Sequence, residues 1–115
     1  MGDRVAAVFT ALADPSRRLL VERLASEGAS TATQLAAGLP VTRQAVAKHL
    51  ALLESAGLVH RSREGRHTIV QLDPRPLEDA SAWMERMERE WDDRLAALAE
   101  HVGRRREVRT RRGPA

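Results

Sequence analysis

A chain of 115 residues with a net charge of +3 has the size of one domain built around a single core. Its lack of cysteine excludes disulfides, thiolate metal ligands and cysteine redox chemistry. The N-terminus has no basic stretch followed by an apolar core, and no apolar run approaches the roughly 20 residues that span a bilayer, so a soluble, cytoplasmic chain with no membrane partner is expected.

In the first segment Val5, Val8, Phe9 and Leu12 fall at helical spacing and predict one apolar stripe. Asp14 followed by Pro15 marks a fresh start, with the aspartate as N-cap and the proline at the first helical position. This second helix is expected to run to about Glu27, to turn Leu19, Leu20 and Leu24 inward, and to end at Gly28. Ser30 or Thr31 caps a short third helix carrying Leu35, Ala36 and Leu39, and Pro40 forces the chain to redirect in the turn that follows.

Thr42 is the expected N-cap of a fourth helix, with Val41 and Val46 placed as a hydrophobic staple. Val46, Leu50 and Leu53 form its inward stripe, and Gly57 is placed to end it in the left-handed conformation. Residues 58–63 and 66–72 then read as two strands of a hairpin turning around Glu64 and Gly65. Glu-Gly is a weak turn signal, and a slip of one residue would exchange the faces of every wing side chain. Asp73, Pro74 and Pro76 break the strand. From Leu77, an apolar row of Ala80, Met84, Met87, Trp91, Leu95, Leu98 and Val102 predicts a long last helix. Residues 1–103 are thus expected to form the folded domain and residues 104–115 a basic, disordered tail.

The fold class that follows is mainly α with a small β-hairpin, in the order α-α-α-α-β-β-α: a winged helix-turn-helix. Charge is distributed unevenly over it. Residues 1–29 are neutral, 30–72 carry +3, 73–103 carry −5 and 104–115 carry +5. A positive reading head beside an acidic segment orients a protein on a polyanion. The total of 18 arginines to one lysine is ascribed to GC-rich coding and is not counted toward nucleic-acid binding.

At the start of the fourth helix, Arg43 suits guanine O6 and N7, and Gln44 suits adenine N6 and N7. Thr42 and Lys48 suit phosphates, while Ala45 and Ala47 keep the helix surface low, with Ala47 able to meet a thymine methyl. On the wing, Arg63 and Arg66 suit the DNA backbone or minor groove, with Arg61 and His67 dependent on register. His49 is open between a structural hydrogen bond and a phosphate contact, and His60 reads as a partly exposed strand residue. The arginine tail either adds non-specific affinity or is inert.

A domain this small has little surface with which to cover two terminal helices. Val5, Val8, Phe9 and Leu12 at one end, and Met84, Met87, Trp91, Leu95 and Leu98 at the other, are therefore assigned to a homodimer interface. Trp83 and Trp91 read as interface or core, a small-molecule pocket between subunits being the sharper alternative. Two linked heads predict an inverted-repeat operator in double-stranded DNA. The rival reading is a protein-interaction module, against which the polar and basic reading face argues. Catalysis is not expected: none of the serines sits in a nucleophile turn, and no phosphate-cradling loop is present.

Three segments, FTALADPSRRLLVERLA at 9–25, VTRQAVAKHLALLESAGLV at 41–59 and REGRHTIVQLDPRPL at 63–77, closely resemble the ArsR/SmtB-type winged-helix transcriptional regulators, a likeness that extends over about residues 4–102. The resemblance implies a homodimer that binds operator DNA and usually represses. Metal-sensing members often carry a Cys-x-Cys pair around the third helix, or an aspartate and histidine set on the last one. Here the third-helix region reads STATQLAAGL, and Asp92, Asp93, Glu100 and His101 are followed by Arg104 where a ligand would be wanted. No metal site or cofactor is expected, and no motif names an effector.

Overall fold

The caps foreseen in the sequence set the helix boundaries. The computed structural model describes residues 2–112, arranged as α1 (Asp3–Leu12), α2 (Pro15–Glu27), β1 (Ser30–Thr31), α3 (Ala32–Ala36), α4 (Arg43–Ser55), β2 (Val59–Glu64), β3 (His67–Leu72) and α5 (Arg75–Arg112). The Asp14 carboxylate accepts the Arg17 amide at 3.0 Å at the start of α2. Thr31 and Gln34 close a capping box on α3, and the Thr42 hydroxyl accepts the Ala45 amide at 3.1 Å on α4. Gly57, at φ +75°, ends α4 in a Schellman arrangement. Its amide reaches the Glu54 carbonyl at 2.9 Å and the Leu58 amide reaches that of Leu53 at 2.9 Å. Leu53 and Leu58, the pair that such a motif brings together, are both fully buried.

Residues through Ser81 form one compact unit, and the helix from Ala82 onward forms another. In the first, the core comprises Val8 and Ala11 of α1, Leu20, Val21 and Leu24 of α2, Leu35 of α3, Val46, Leu50 and Leu53 of α4, and Val59 and Val70 of the sheet. Two arginines of α2 hold its neighbours. Arg17 donates from Nε to the Ala11 carbonyl at 2.7 Å, at the end of α1. Arg23 donates from Nη1 to the Leu35 and Ala37 carbonyls at 3.1 and 2.7 Å, at the end of α3. Cations at these two helix ends satisfy carbonyls that have no partner within their own helices.

Several expectations change. The sheet has three strands, ordered β1-β3-β2, because Ser30 and Thr31 pair with Val70 and Ile69 before the chain enters α3. A two-residue strand is too short to leave an alternating pattern in sequence. Helix α3 stops at Ala36 and leaves Leu39 beyond it, with Gly38 at φ +80° turning the chain ahead of Pro40. Leu19 is exposed and Val21 takes its place in the core. The long helix passes through Gly103 to Arg112, where a disordered tail was expected. One glycine costs a helix only about 1 kcal/mol, and the arginines after it are good helix formers. Residues 113–115 of that tail lie outside the described residues.

Candidate nucleic-acid interface

Helix α4 has a buried row, Val46, Leu50 and Leu53, and opposite it an exposed face. Thr42, Arg43, Gln44, Ala47 and Lys48 are all exposed on that face. At 3.6 residues per turn Arg43 stacks with Ala47 and Gln44 with Lys48, so the first two turns present two adjacent rows. The first turn contains no acidic residue. Arg43 and Ala47 also border a small cleft of about 180 Å³, whose other walls include Thr33 of α3 and Arg61 and Thr68 of the wing. The helix-turn-helix and the wing therefore meet along one surface.

The strand register settles how the wing is aimed. Glu64 pairs with His67, so the connecting residues are Gly65 and Arg66, one position later than the sequence suggested. Gly65 has φ +59° and no non-glycine residue has a positive φ, a combination that suits a two-residue turn of the II′ kind. Arg61 stands opposite Val70 and Arg63 opposite Thr68, which puts both arginines on one face of the ribbon. His67, opposite Glu64, lies on the other face, and Arg66 occupies the turn.

Arg61 is engaged within the chain. Its Nε and Nη2 donate to Glu54 of α4 at 3.2 and 3.0 Å, a two-pronged pair between the wing and the last turns of the reading helix. The Arg61 guanidinium holds the Glu54 carboxyl below its ordinary range. By contrast Arg43, Lys48, Arg63 and Arg66, the other cations of residues 30–72, have no hydrogen bond or ion pair among the described residues. His49 has the structural role left open by the sequence. Its Nδ1 lies 3.4 Å from Arg17 Nη1 and 3.9 Å from the Asp14 carboxylate.

Beneath the wing a second polar cluster was missed by sequence reading. Asp73, only 7% exposed, accepts from His60 Nε2 at 2.8 Å, from Arg75 Nη2 at 2.6 Å and from the Arg75 amide at 3.0 Å. The Arg75 guanidinium first, and the His60 bond second, hold the Asp73 carboxyl far below the usual carboxylate range. The available signal was Asp-Pro-Arg, an aspartate placed to cap the helix that begins two residues later.

The residues assigned to dimerisation divide in two. Val5 and Val8 belong to the core of their own chain, a correction to their interface assignment, because the i, i+3 edge of α1 with Ala11 faces inward. Phe9 and Leu12 are half-buried. Met84, Met87, Trp91, Leu95 and Leu98 are exposed, Trp91 by 61% and Leu98 by 57%. Among the described residues no three His, Cys, Asp or Glu side chains converge as a metal site, and no helix is long and apolar enough to cross a membrane.

A capped reading helix with an arginine-bearing two-stranded wing beside it defines the winged helix-turn-helix class. A helix-turn-helix domain family matches residues 12–62. The HTH-type transcriptional regulator Rv2034 of Mycobacterium tuberculosis is 41% identical over 94 residues, covering 82% of this chain and 84% of that protein. Among solved structures, an ArsR-like transcriptional regulator from Rhodococcus is similar with a TM-score of 0.75 and 38% identity, covering 84% of this chain and 91% of the other. The homodimeric winged helix-turn-helix DNA-binding domain Mb0332 of Mycobacterium bovis, a possible ArsR-family regulator, has a TM-score of 0.58 and 27% identity, covering 81% and 82%. The chain belongs to the ArsR-type family of winged helix-turn-helix transcriptional regulators.

Proposed function

We propose that the protein is a cytoplasmic repressor that binds an inverted-repeat operator as a homodimer. The observation that carries this reading is the unpaired set Arg43, Lys48, Arg63 and Arg66. Within residues 30–72 every other cation is bonded to the chain itself, and these four remain on the reading helix and the wing. In the proposed complex Arg43 and Gln44 read base edges in the major groove, and Ala47 meets a thymine methyl. Thr42 and Lys48 hold phosphates and set register. Arg63 and Arg66 reach the backbone or minor groove beside it. Arg61, bound to Glu54, fixes the wing against α4 and does not reach out to DNA, and His67 lies on the far face of the ribbon and takes no part in reading.

The homodimer reading rests on the exposed apolar residues of α5 and on the homodimeric relative. Two reading heads related by a two-fold axis require half-sites about one helical turn apart, or a multiple of it. Footprinting of the purified chain on the DNA upstream of its own gene, at stated salt, tests the whole proposal. Protection of two inverted half-sites at that spacing is the expected result. Uniform, sequence-independent protection that disappears with moderate salt would refute specific reading.

A further inference from the structure

Helix α5 is polarised along its length. Its residues 85–93 contain five acids, Glu85, Glu88, Glu90, Asp92 and Asp93, against two arginines, whereas residues 104–112 contain six arginines against one glutamate. Between and across these blocks runs the exposed apolar row Met84, Met87, Trp91, Leu95, Leu98 and Val102. The unit from Ala82 onward is a single helix, so nothing within that unit covers the row. We propose that the row is covered by α5 of a second copy running antiparallel, and that the arginine block of each copy clasps the acidic block of the other. This proposal rests on the homodimer reading above and adds its orientation and a role for the basic extension.

Charge selects the orientation. A parallel pair would set six arginines against six and acids against acids; an antiparallel pair sets each block against its opposite. The apolar row gives the register, with Val102 against the partner's Met84, Leu98 against the partner's Met87 and Leu95 against the partner's Trp91. Continuing that register brings residues 104–106 opposite the turn that starts just before the partner's Glu85. At roughly 100° per residue Arg105 and Arg106 stand on the two flanks of the row, within about one helical turn of the partner's Glu85 and Glu88. Ion pairs of this kind are individually weak, but two-fold symmetry repeats each of them.

Sedimentation equilibrium of the full chain tests the clasp. At about 0.05 M salt, reversing Arg105→Glu with Arg106→Glu is expected to raise the dimer dissociation constant on the order of tenfold. The reversal Glu85→Arg with Glu88→Arg does the same. Combining all four changes in one chain restores the constant to within about twofold, an outcome that a parallel pair cannot give, and the differences vanish near about 1 M salt. Circular dichroism checks that each variant keeps its helix content. The clasp is overturned if the reversals leave the dimer constant unchanged, if the fourfold variant sums the two losses, or if Arg105→Glu with Arg106→Glu weakens DNA binding alone. A wild-type chain that stays monomeric at all concentrations overturns the homodimer reading as well.

Discussion

Replacing Arg23 with alanine removes a clamp on the helix-turn-helix that is far from any expected DNA contact. Helix α3 has only five residues and cannot persist on its own. Its end is held by Arg23 Nη1, which donates to the Leu35 carbonyl at 3.1 Å and the Ala37 carbonyl at 2.7 Å. A Cβ built on Gly38, at φ +80°, would meet Arg23 Nη2 at 3.1 Å, so the arginine also lies across the turn that leads to the reading helix. A hydrogen bond from a charged donor contributes about 1.5 to 3 kcal/mol when its acceptor is left buried, but one of these two is exposed and water can replace the donor. The expected loss is therefore about 1 to 2 kcal/mol, a fall of about 5 to 10 °C in the unfolding midpoint of a domain this size. Operator affinity should fall further than stability alone requires, because a loosened α3–α4 turn must be reordered on DNA. Thermal and urea unfolding, paired with gel-shift titration, separate the two effects. An Arg23→Ala chain with wild-type midpoint and wild-type affinity would refute the clamp.

At the reading face, Arg43→Ala is expected to cost roughly 1 to 3 kcal/mol at one base position per half-site and to relax the preference there, read by binding to operators varied one base at a time. Lys48→Ala should instead weaken binding to all sequences alike and lower the salt slope by about one. In the core, Leu53→Ala removes a fully buried side chain that also closes the α4 end, for a loss of about 2 to 5 kcal/mol in urea unfolding. The Asp73 carboxyl, lowered by Arg75 and His60, contributes stability that is present above the unfolded carboxylate value of about 3.9 and is lost as pH falls below it. Asp14 and Glu54 are lowered too and act with the same sign. A urea midpoint that declines below about pH 4 in the wild type, and declines less in Asp73→Asn, is the expected record.

The parts of this fold that were legible in the sequence are those set by local chemistry. Asp14, Thr31, Thr42 and Gly57 announce helix ends through groups within three residues of them, and the structure uses each as a cap. What the sequence concealed depends on partners distant along the chain. The pairing of Ser30 with Val70 spans 40 positions and involves one short strand. The inward edge of α1 is chosen by its packing against other elements, and periodicity alone could not decide between Val5–Val8–Ala11 and a row that includes Phe9 and Leu12. The wing turn slipped by one residue because Glu-Gly and Gly-Arg are both weak signals, and the 6-residue strands on either side fix the register instead.

That slip bears on function through Arg61. Had the turn been centred on Glu64 and Gly65, Arg61 and Arg66 would have been aimed together, and the wing would have carried its charge at the base as well as the tip. With Arg61 opposite Val70, its guanidinium instead lies against α4 and is neutralised by Glu54. The arginine count of a region thus overstates its charge toward a ligand: Arg17, Arg23, Arg61 and Arg75 all bind carbonyls or carboxylates of their own chain. Subtracting the arginines that hold the fold together isolates those that are free to meet phosphate. On residues 30–72 the remainder is Arg43, Lys48, Arg63 and Arg66, spaced between the start of the reading helix and the wing tip. A duplex laid along them would meet positive charge at both ends of one surface, with the neutral Ala45 and Ala47 between them, where close approach to the bases is required.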